Sequence, residues 1–133
     1  MKLDYLLLPS LTVDIRRPVV DIKMEGIPEV GISCLVDSGA LHNRFDENLA
    51  LAAGIDLRDA EPAKAFQVAG RDYDGKWSTV TLSIGEYSWD APICFVHEWN
   101  RDFQLLGQEG FFRWFDVCFH AADEYLTLNF TRH

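Results

Sequence analysis

The chain is poor in positive charge. Its 133 residues carry 12 Lys and Arg against 21 Asp and Glu, a formal net charge of −9. Phosphate backbones and anionic membrane surfaces are held through Lys and Arg, so neither nucleic acid nor a membrane is expected as a partner. Cysteine is sparse as well. Cys34, Cys94 and Cys118 are odd in number, far apart and without a C-x-x-C pair. Each sits in an apolar, strand-like stretch, where a free thiol packs as a small hydrophobe. A disulfide framework is not expected, and a reducing, cytoplasmic setting is. Long apolar runs are missing. The N-terminal "MKLDYLLLPSLT" is interrupted at Pro9 and is too short for a signal peptide core or a bilayer span. Glycine-rich phosphate cradles are missing too, since neither G-x-G-x-x-G nor G-x-x-x-x-G-K-[ST] occurs. The 4 His show no H-E-x-x-H or similar ligand spacing. No cofactor and no metal are expected.

Apolar residues make up 48% of the chain and aromatics 13%, enough for a real core in one compact domain spanning 1–133, with its centre over about 17–130. The pattern is one of short strands. "PVVDIKM" (Pro18 to Met24) and "VGISCLV" (Val30 to Val36) read as a hairpin around Glu25-Gly26 and Pro28. "KWSTVTLSIG" alternates Val80, Leu82 and Ile84 with Thr79, Thr81 and Ser83, the period of a half-buried strand. "APICFV", "FQLLGQ", "DVCFH" and "YLTLNF" read as further strands, the last with Leu126, Leu128 and Phe130 on one face. "FDENLALAAGI" has the marks of a short helix, with Asp46 as N-cap and Gly54 past its end. "EGFFRWF" reads as a second short helix. The fold expected is mainly β, a small barrel or folded sheet with one or two short helices.

One stretch asks for more than folding. In "SCLVDSGALHNRF" an apolar strand ends at Asp37, followed at once by Ser38, Gly39 and Ala40. Asp, Ser and Gly are all turn formers, and as a bare tripeptide they need no other explanation. Other chemistries do not fit: Ser38 is outside a G-x-S-x-G elbow, no His is placed as partner to a catalytic Cys, and Gly39 stands where a D-x-D phosphoryl-transfer motif needs its second acid. Two apolar residues precede Asp37, a helix follows, and a second apolar-apolar-Gly element, Leu105-Leu106-Gly107, stands near the C-terminus.

In this combination the chain resembles the retropepsin-like aspartic proteases, the single-lobed family that includes retroviral proteases. Leu35-Val36-Asp37-Ser38-Gly39-Ala40 is similar to the family's active-site turn. Leu105-Leu106-Gly107 is similar to its second signature, which buttresses that turn. Arg17 to Lys23 resembles the strand ahead of the turn. "FQVAGRDYDGKWSTV" stands where the flap hairpin belongs, and Thr127 to Phe130 resembles the C-terminal dimer strand. Two features depart from the pattern: a charged flap tip, placed at Arg71 to Gly75, and the extensions Met1 to Arg16 and Thr131 to His133.

The resemblance implies a retropepsin-like barrel and an aspartic endopeptidase. One Asp-Ser-Gly supplies half a dyad, so it implies a homodimer in which Asp37 of each chain meets at a two-fold axis. It implies that Ser38 hydrogen-bonds across the axis, that Gly39 allows close approach of the backbones, and that Ala40 leaves room for substrate. On the flap side, Ala69, Gly70, Arg71 and Trp77 would line an extended peptide; ordinary β packing explains Trp77 equally well. Two other readings stay open: a retropepsin-like peptide-binding or dimerisation module with little or no hydrolysis, and a small β-barrel binding protein in which Asp37 is only a turn residue.

Overall fold

Alternation of apolar and polar residues sets most of the strands. The computed structural model describes residues 1–8 and 15–131; the stretch around Pro9 and the end of the C-terminal extension lie outside them. In chain order the strands are β1 (Lys2–Asp4), β2 (Leu6–Leu7), β3 (Arg16–Arg17), β4 (Val19–Met24), β5 (Ile27–Val36), β6 (Asn43–Asp46), β7 (Phe66–Val68), β8 (Arg71–Tyr73), β9 (Gly75–Ile84), β10 (Tyr87–Val96), β11 (Gln104–Leu106), β12 (Phe115–His120) and β13 (Tyr125–Phe130). The helix α1 (Glu47–Ala52) and two single turns, Gln108–Phe112 and Ala121–Asp123, complete the described chain.

Six strands close into a barrel in the order β10-β6-β11-β5-β4-β9. The closure threads β11 between β5 and β6, parallel to β5 and antiparallel to β6. Inward residues such as Ile22, Cys34, Phe45, Leu82, Ile93 and Leu106 are fully buried. The aromatic rings of Trp89, Phe111 and Phe115 fill the end of the barrel below the Gln108–Phe112 turn. A separate three-stranded sheet, β1-β13-β12, joins the two ends of the chain.

The expected helix forms as its capping residues direct. The Asp46 side chain accepts from Asn48 N at 3.0 Å, satisfying a first-turn donor. Gly54, at φ 76°, follows the Ala53 C-cap, and Gly54 N and Ile55 N donate to Leu51 O and Ala50 O. That pair of bonds is the left-handed glycine termination that only a residue without Cβ adopts freely. The second expected helix is a single wide turn. Phe112 N and Arg113 N reach back five residues, to Gly107 O and Gln108 O.

Several boundaries differ from expectation. Pro28 lies within β5 rather than in the turn; it has no N–H to give, and the β4–β5 register shifts where it sits, so no ladder bond is forfeited. β6 falls on "NRFD", which reads locally as the tail of the Asp37 turn. β1 pairs only with β13 at the opposite end of the chain, a partner no local pattern reveals. The hairpin expected as the flap is β7–β8, with Phe66 opposite Tyr73 and Val68 opposite Arg71. Its tip is therefore Ala69-Gly70, both at positive φ (52° and 80°), the geometry of a tight two-residue hairpin. Of the tip expected at Arg71 to Gly75, Arg71 to Tyr73 are instead strand, with Tyr73 drawn inward to pack on Trp99. The C-terminal strand also has more neighbours than expected. β13 is bonded along one edge to β12 and, over Tyr125 to Thr127, to β1 on the other, which leaves little of either edge for another chain.

Candidate active site

Asp37 stands just past the end of β5, half-buried, where the strand leaves the barrel. Its Oδ1 accepts from Gly39 N at 2.9 Å, and its carbonyl accepts from Ala40 N at 3.1 Å. The turn thus folds back on the carboxylate that begins it. A Cβ on Gly39 would lie 3.2 Å from Asp37 Oδ1 and crowd the acid, while Ser38 and Gly39 themselves face outward.

The second apolar-apolar-Gly element holds this turn from behind. Asp37 N donates to Leu106 O at 3.0 Å, Gln108 N to Ala40 O at 2.9 Å and Glu109 N to Leu41 O at 2.8 Å. The Gln108 side-chain amide donates to Ser38 O at 2.7 Å. The approach at Gly107 is so close that a Cβ would lie 2.6 Å from His42 O and 2.7 Å from Ala40 O. Between the two segments sits Asn43, fully buried. Its Oδ1 accepts from Gly107 N at 2.9 Å and its Nδ2 donates to Gly110 O at 3.0 Å. Trp89 Nε1 donates to the same Gly110 O at 2.8 Å. Every polar atom at this buried junction named here has a partner, as a rigid polar network requires.

A second, smaller apolar cluster lies outside the barrel, beneath the flap hairpin. Leu35, Leu105 and Phe103 come from the barrel side, and Phe66, Val68 and Tyr73 from the hairpin. Leu35 lies on β5 two residues before Asp37. The hairpin thus packs on the barrel along the side that leads to Asp37, with this cluster filling the space between them. Trp77, half-buried on β9, meets the His42 ring edge-on at 4.7 Å between centroids. Burial pushes the His42 imidazole below its usual pKa, Arg44 adds to the effect, and Glu109 opposes it. Tyr73 anchors the hairpin base through its hydroxyl, which donates to Asn100 Oδ1.

Of the residues singled out from the sequence, Asp37, Ser38, Gly39 and Ala40 share one turn with Leu106 to Gln108 at their back. Ala69 and Gly70 form the exposed hairpin tip, Arg71 follows on its outer strand, and Trp77 stands below beside His42. Asn43, Arg44, His42 and Gln108 were not legible: no local pattern marks "HNRF" or "GQE" as wrapped around a turn more than sixty residues away. Among the described residues no cluster of three or more His, Cys, Asp or Glu is placed to hold a metal ion, and no helix is long and apolar enough to cross a membrane.

No protein-family model matches the chain, and no curated protein does. Solved structures do. A retropepsin-like aspartic protease from Rickettsia conorii superposes with a TM-score of 0.65 at 16% identity, covering 95% of this chain and 97% of that one. The retroviral protease-like domain of Ddi1 from Leishmania major superposes with a TM-score of 0.62 at 13% identity, covering 86% and 90%. With its closed six-stranded barrel, its Asp-Ser-Gly turn at the end of β5 and its short flap hairpin, the chain has the single-lobed retropepsin-like fold.

Proposed function

We propose that the chain is an aspartic endopeptidase whose active site forms from two copies, with Asp37 of each copy supplying one carboxylate. The observation that carries this reading is the Asp37 turn itself: a half-buried carboxylate, bonded to Gly39 N, in a loop clamped by Leu106, Gln108 and Asn43. Holding a reacting group in one fixed geometry is what such clamping supplies to catalysis.

Two carboxylates sharing one proton can do both halves of amide hydrolysis. The ionised one takes a proton from water as its oxygen attacks the peptide carbonyl carbon. The protonated one gives its proton to the carbonyl oxygen. The tetrahedral adduct then collapses: the C–N bond breaks, the nitrogen leaves with a proton from one acid, and the hydroxyl proton returns to the other. Ser38, exposed beside Asp37, is suited to bond across the two-fold axis. Ala40, Ala69, Gly70, Arg71 and Trp77 would face the peptide, and the flap hairpin would close over it and exclude water.

With most of β13 bonded within its own chain, this reading puts the dimer surface elsewhere. Val36 N donates to Pro18 O at 2.9 Å, so the β2–β3 hairpin springs from beside the Asp37 turn. It carries the exposed apolar residues Leu6, Leu7 and Ile15, and Leu41 on the turn's own loop is 57% exposed. These supply the apolar surface a two-fold contact around Asp37 needs. The bonded β13 also favours a second reading, a peptide-binding module whose chains pair too weakly to hydrolyse.

The test is cleavage of a denatured protein mixture, with solution mass measured alongside, for the native chain and for Asp37→Asn. The substitution keeps shape but cannot accept the water's proton. Cleavage that is blocked by a pepstatin-type inhibitor and lost in Asp37→Asn, with fold and dimer intact, supports the peptidase. Peptide binding without cleavage by a monomer supports the module, and cleavage that survives in Asp37→Asn ends the first reading.

A further inference from the structure

A half-buried cation stands beneath the flap hairpin, and among the described residues no carboxylate pairs with it. Arg44 is the outward residue of β6, between the inward Asn43 and Phe45. It is paired with Leu105 of β11, and Leu105 is paired with Leu35 of β5. Leu35, Leu105 and Arg44 therefore form one row across three strands. With strands about 4.8 Å apart and about 3.3 Å per residue from Leu35 to Asp37, the Arg44 backbone lies about 12 Å from that of Asp37. An extended peptide covers this distance in three or four residues, and the long Arg side chain shortens it.

The guanidinium carbon lies 3.5 Å from the centroid of the Phe66 ring on the flap hairpin, and the group is also near the Cys94 thiol. None of the ion pairs among the described residues includes Arg44. A guanidinium has five donors in a planar fork that fits a carboxylate or phosphate with two parallel bonds. A ring face and one thiol leave most of that fork unused. Acids are plentiful in a chain of net charge −9, yet none has been placed here.

We propose that Arg44 is a specificity-determining residue beneath the flap hairpin, taking an anionic side chain of the bound peptide, a carboxylate or a phosphoserine phosphate, two to four residues from the scissile bond. The inference rests on reading the side of the barrel beneath the hairpin as a peptide site. Phe66 caps the guanidinium and belongs to the flap hairpin, so lifting the hairpin and uncovering the cation are one motion. The net charge of the whole chain repels acidic peptides, so a preference for them must come from a local group.

The experiment measures binding to the Asp37→Asn chain, which leaves the probe intact. Short extended peptides carry Glu, Gln or phosphoserine in turn at each position around a central apolar pair. Glu is expected to bind roughly ten- to a hundredfold tighter than Gln at one or two adjoining positions, as a charge-assisted bond predicts. The phosphoserine arm shows which anion fits better. In Asp37→Asn/Arg44→Leu the advantage of Glu over Gln disappears, and in Asp37→Asn/Arg44→Lys, which keeps the charge but not the fork, it shrinks. Equal affinity for Glu and Gln, a preference that survives Arg44→Leu, or no binding of any of the peptides overturns the assignment. Incubating the same peptides with the native chain separates the two readings. Selective binding without hydrolysis sinks the peptidase and leaves Arg44 standing; hydrolysis with no acidic preference does the reverse.

Discussion

Asn43→Ala is the sharpest test of how the Asp37 turn is held. The substitution removes the acceptor of Gly107 N, which is buried. Leaving such a donor unpaired costs about 1–3 kcal/mol. Gly110 O keeps its bond from Trp89 Nε1 at 2.8 Å, so its loss of Asn43 adds little. The void left by the amide adds about 1 kcal/mol, for a total of about 2–4 kcal/mol. Gly110 provides the partner perturbation. A Cβ there would overlap the Asn43 amide, while its φ lies outside the left-handed region, so Gly110→Ala acts through space alone and costs about 1–3 kcal/mol by overpacking. In the double variant the new methyl enters the room the amide vacated. The pair should then cost less than the sum of the singles by about 1–3 kcal/mol. Urea melts at unchanged m-value measure all three. Asn43→Asp is the control. A carboxyl buried here has its pKa raised, so its stability is full below the unfolded value of about 3.9 and is lost as pH rises through the folded one. An Asn43→Ala cost under about 0.5 kcal/mol, or strict additivity with Gly110→Ala, refutes the reasoning.

Other outcomes follow from the same structure. Leu41→Lys, at a 57% exposed position, should leave the melting temperature of the monomer nearly unchanged but shift sedimentation towards monomer and reduce cleavage in parallel; a dimer of undiminished affinity places the interface elsewhere. Glu47 lies 2.7 Å from His97 Nδ1 and raises the His97 pKa above its usual 6.5. The folded chain therefore keeps that proton to higher pH, and the contribution is whole below pH 6.5 and fades as pH rises through the folded value. The effect is small because the pair is exposed, and it should vanish in His97→Gln when melting is followed across neutral pH. Cys34 and Cys94 are buried and Cys118 is exposed, with burial pushing the Cys34 thiol well up. One thiol per native chain should therefore react with a maleimide at neutral pH, and all three only after denaturation; fast native labelling at Cys34 would mean the barrel opens readily.

Much of this protein is written locally. The alternation of Val80, Leu82 and Ile84, the Asp46 cap and Gly54 terminator of α1, and the apolar runs around Asp37 and Leu105-Leu106-Gly107 each follow from a few neighbouring residues, because side-chain period, capping and turn chemistry act over one or two turns of chain. Even the association of the two apolar-Gly elements was recognisable as a pattern. What only the tertiary structure decided depends on partners distant in sequence. Asn43 is a clamp because β11 threads beside β6; read alone it is one more polar residue after a turn. Arg44 is a half-buried cation because Leu105 and Phe66 flank it. Tyr73 pulled the hairpin tip back to Ala69-Gly70, since burying a ring beside Trp99 outweighs the turn preference of Asp72 and Asp74. The C-terminal strand looked open to another chain until β1, from the far end of the sequence, paired along its second edge. Backbone donors and acceptors on an edge must be met by something, and which strand meets them is fixed by where the folded chain brings its ends.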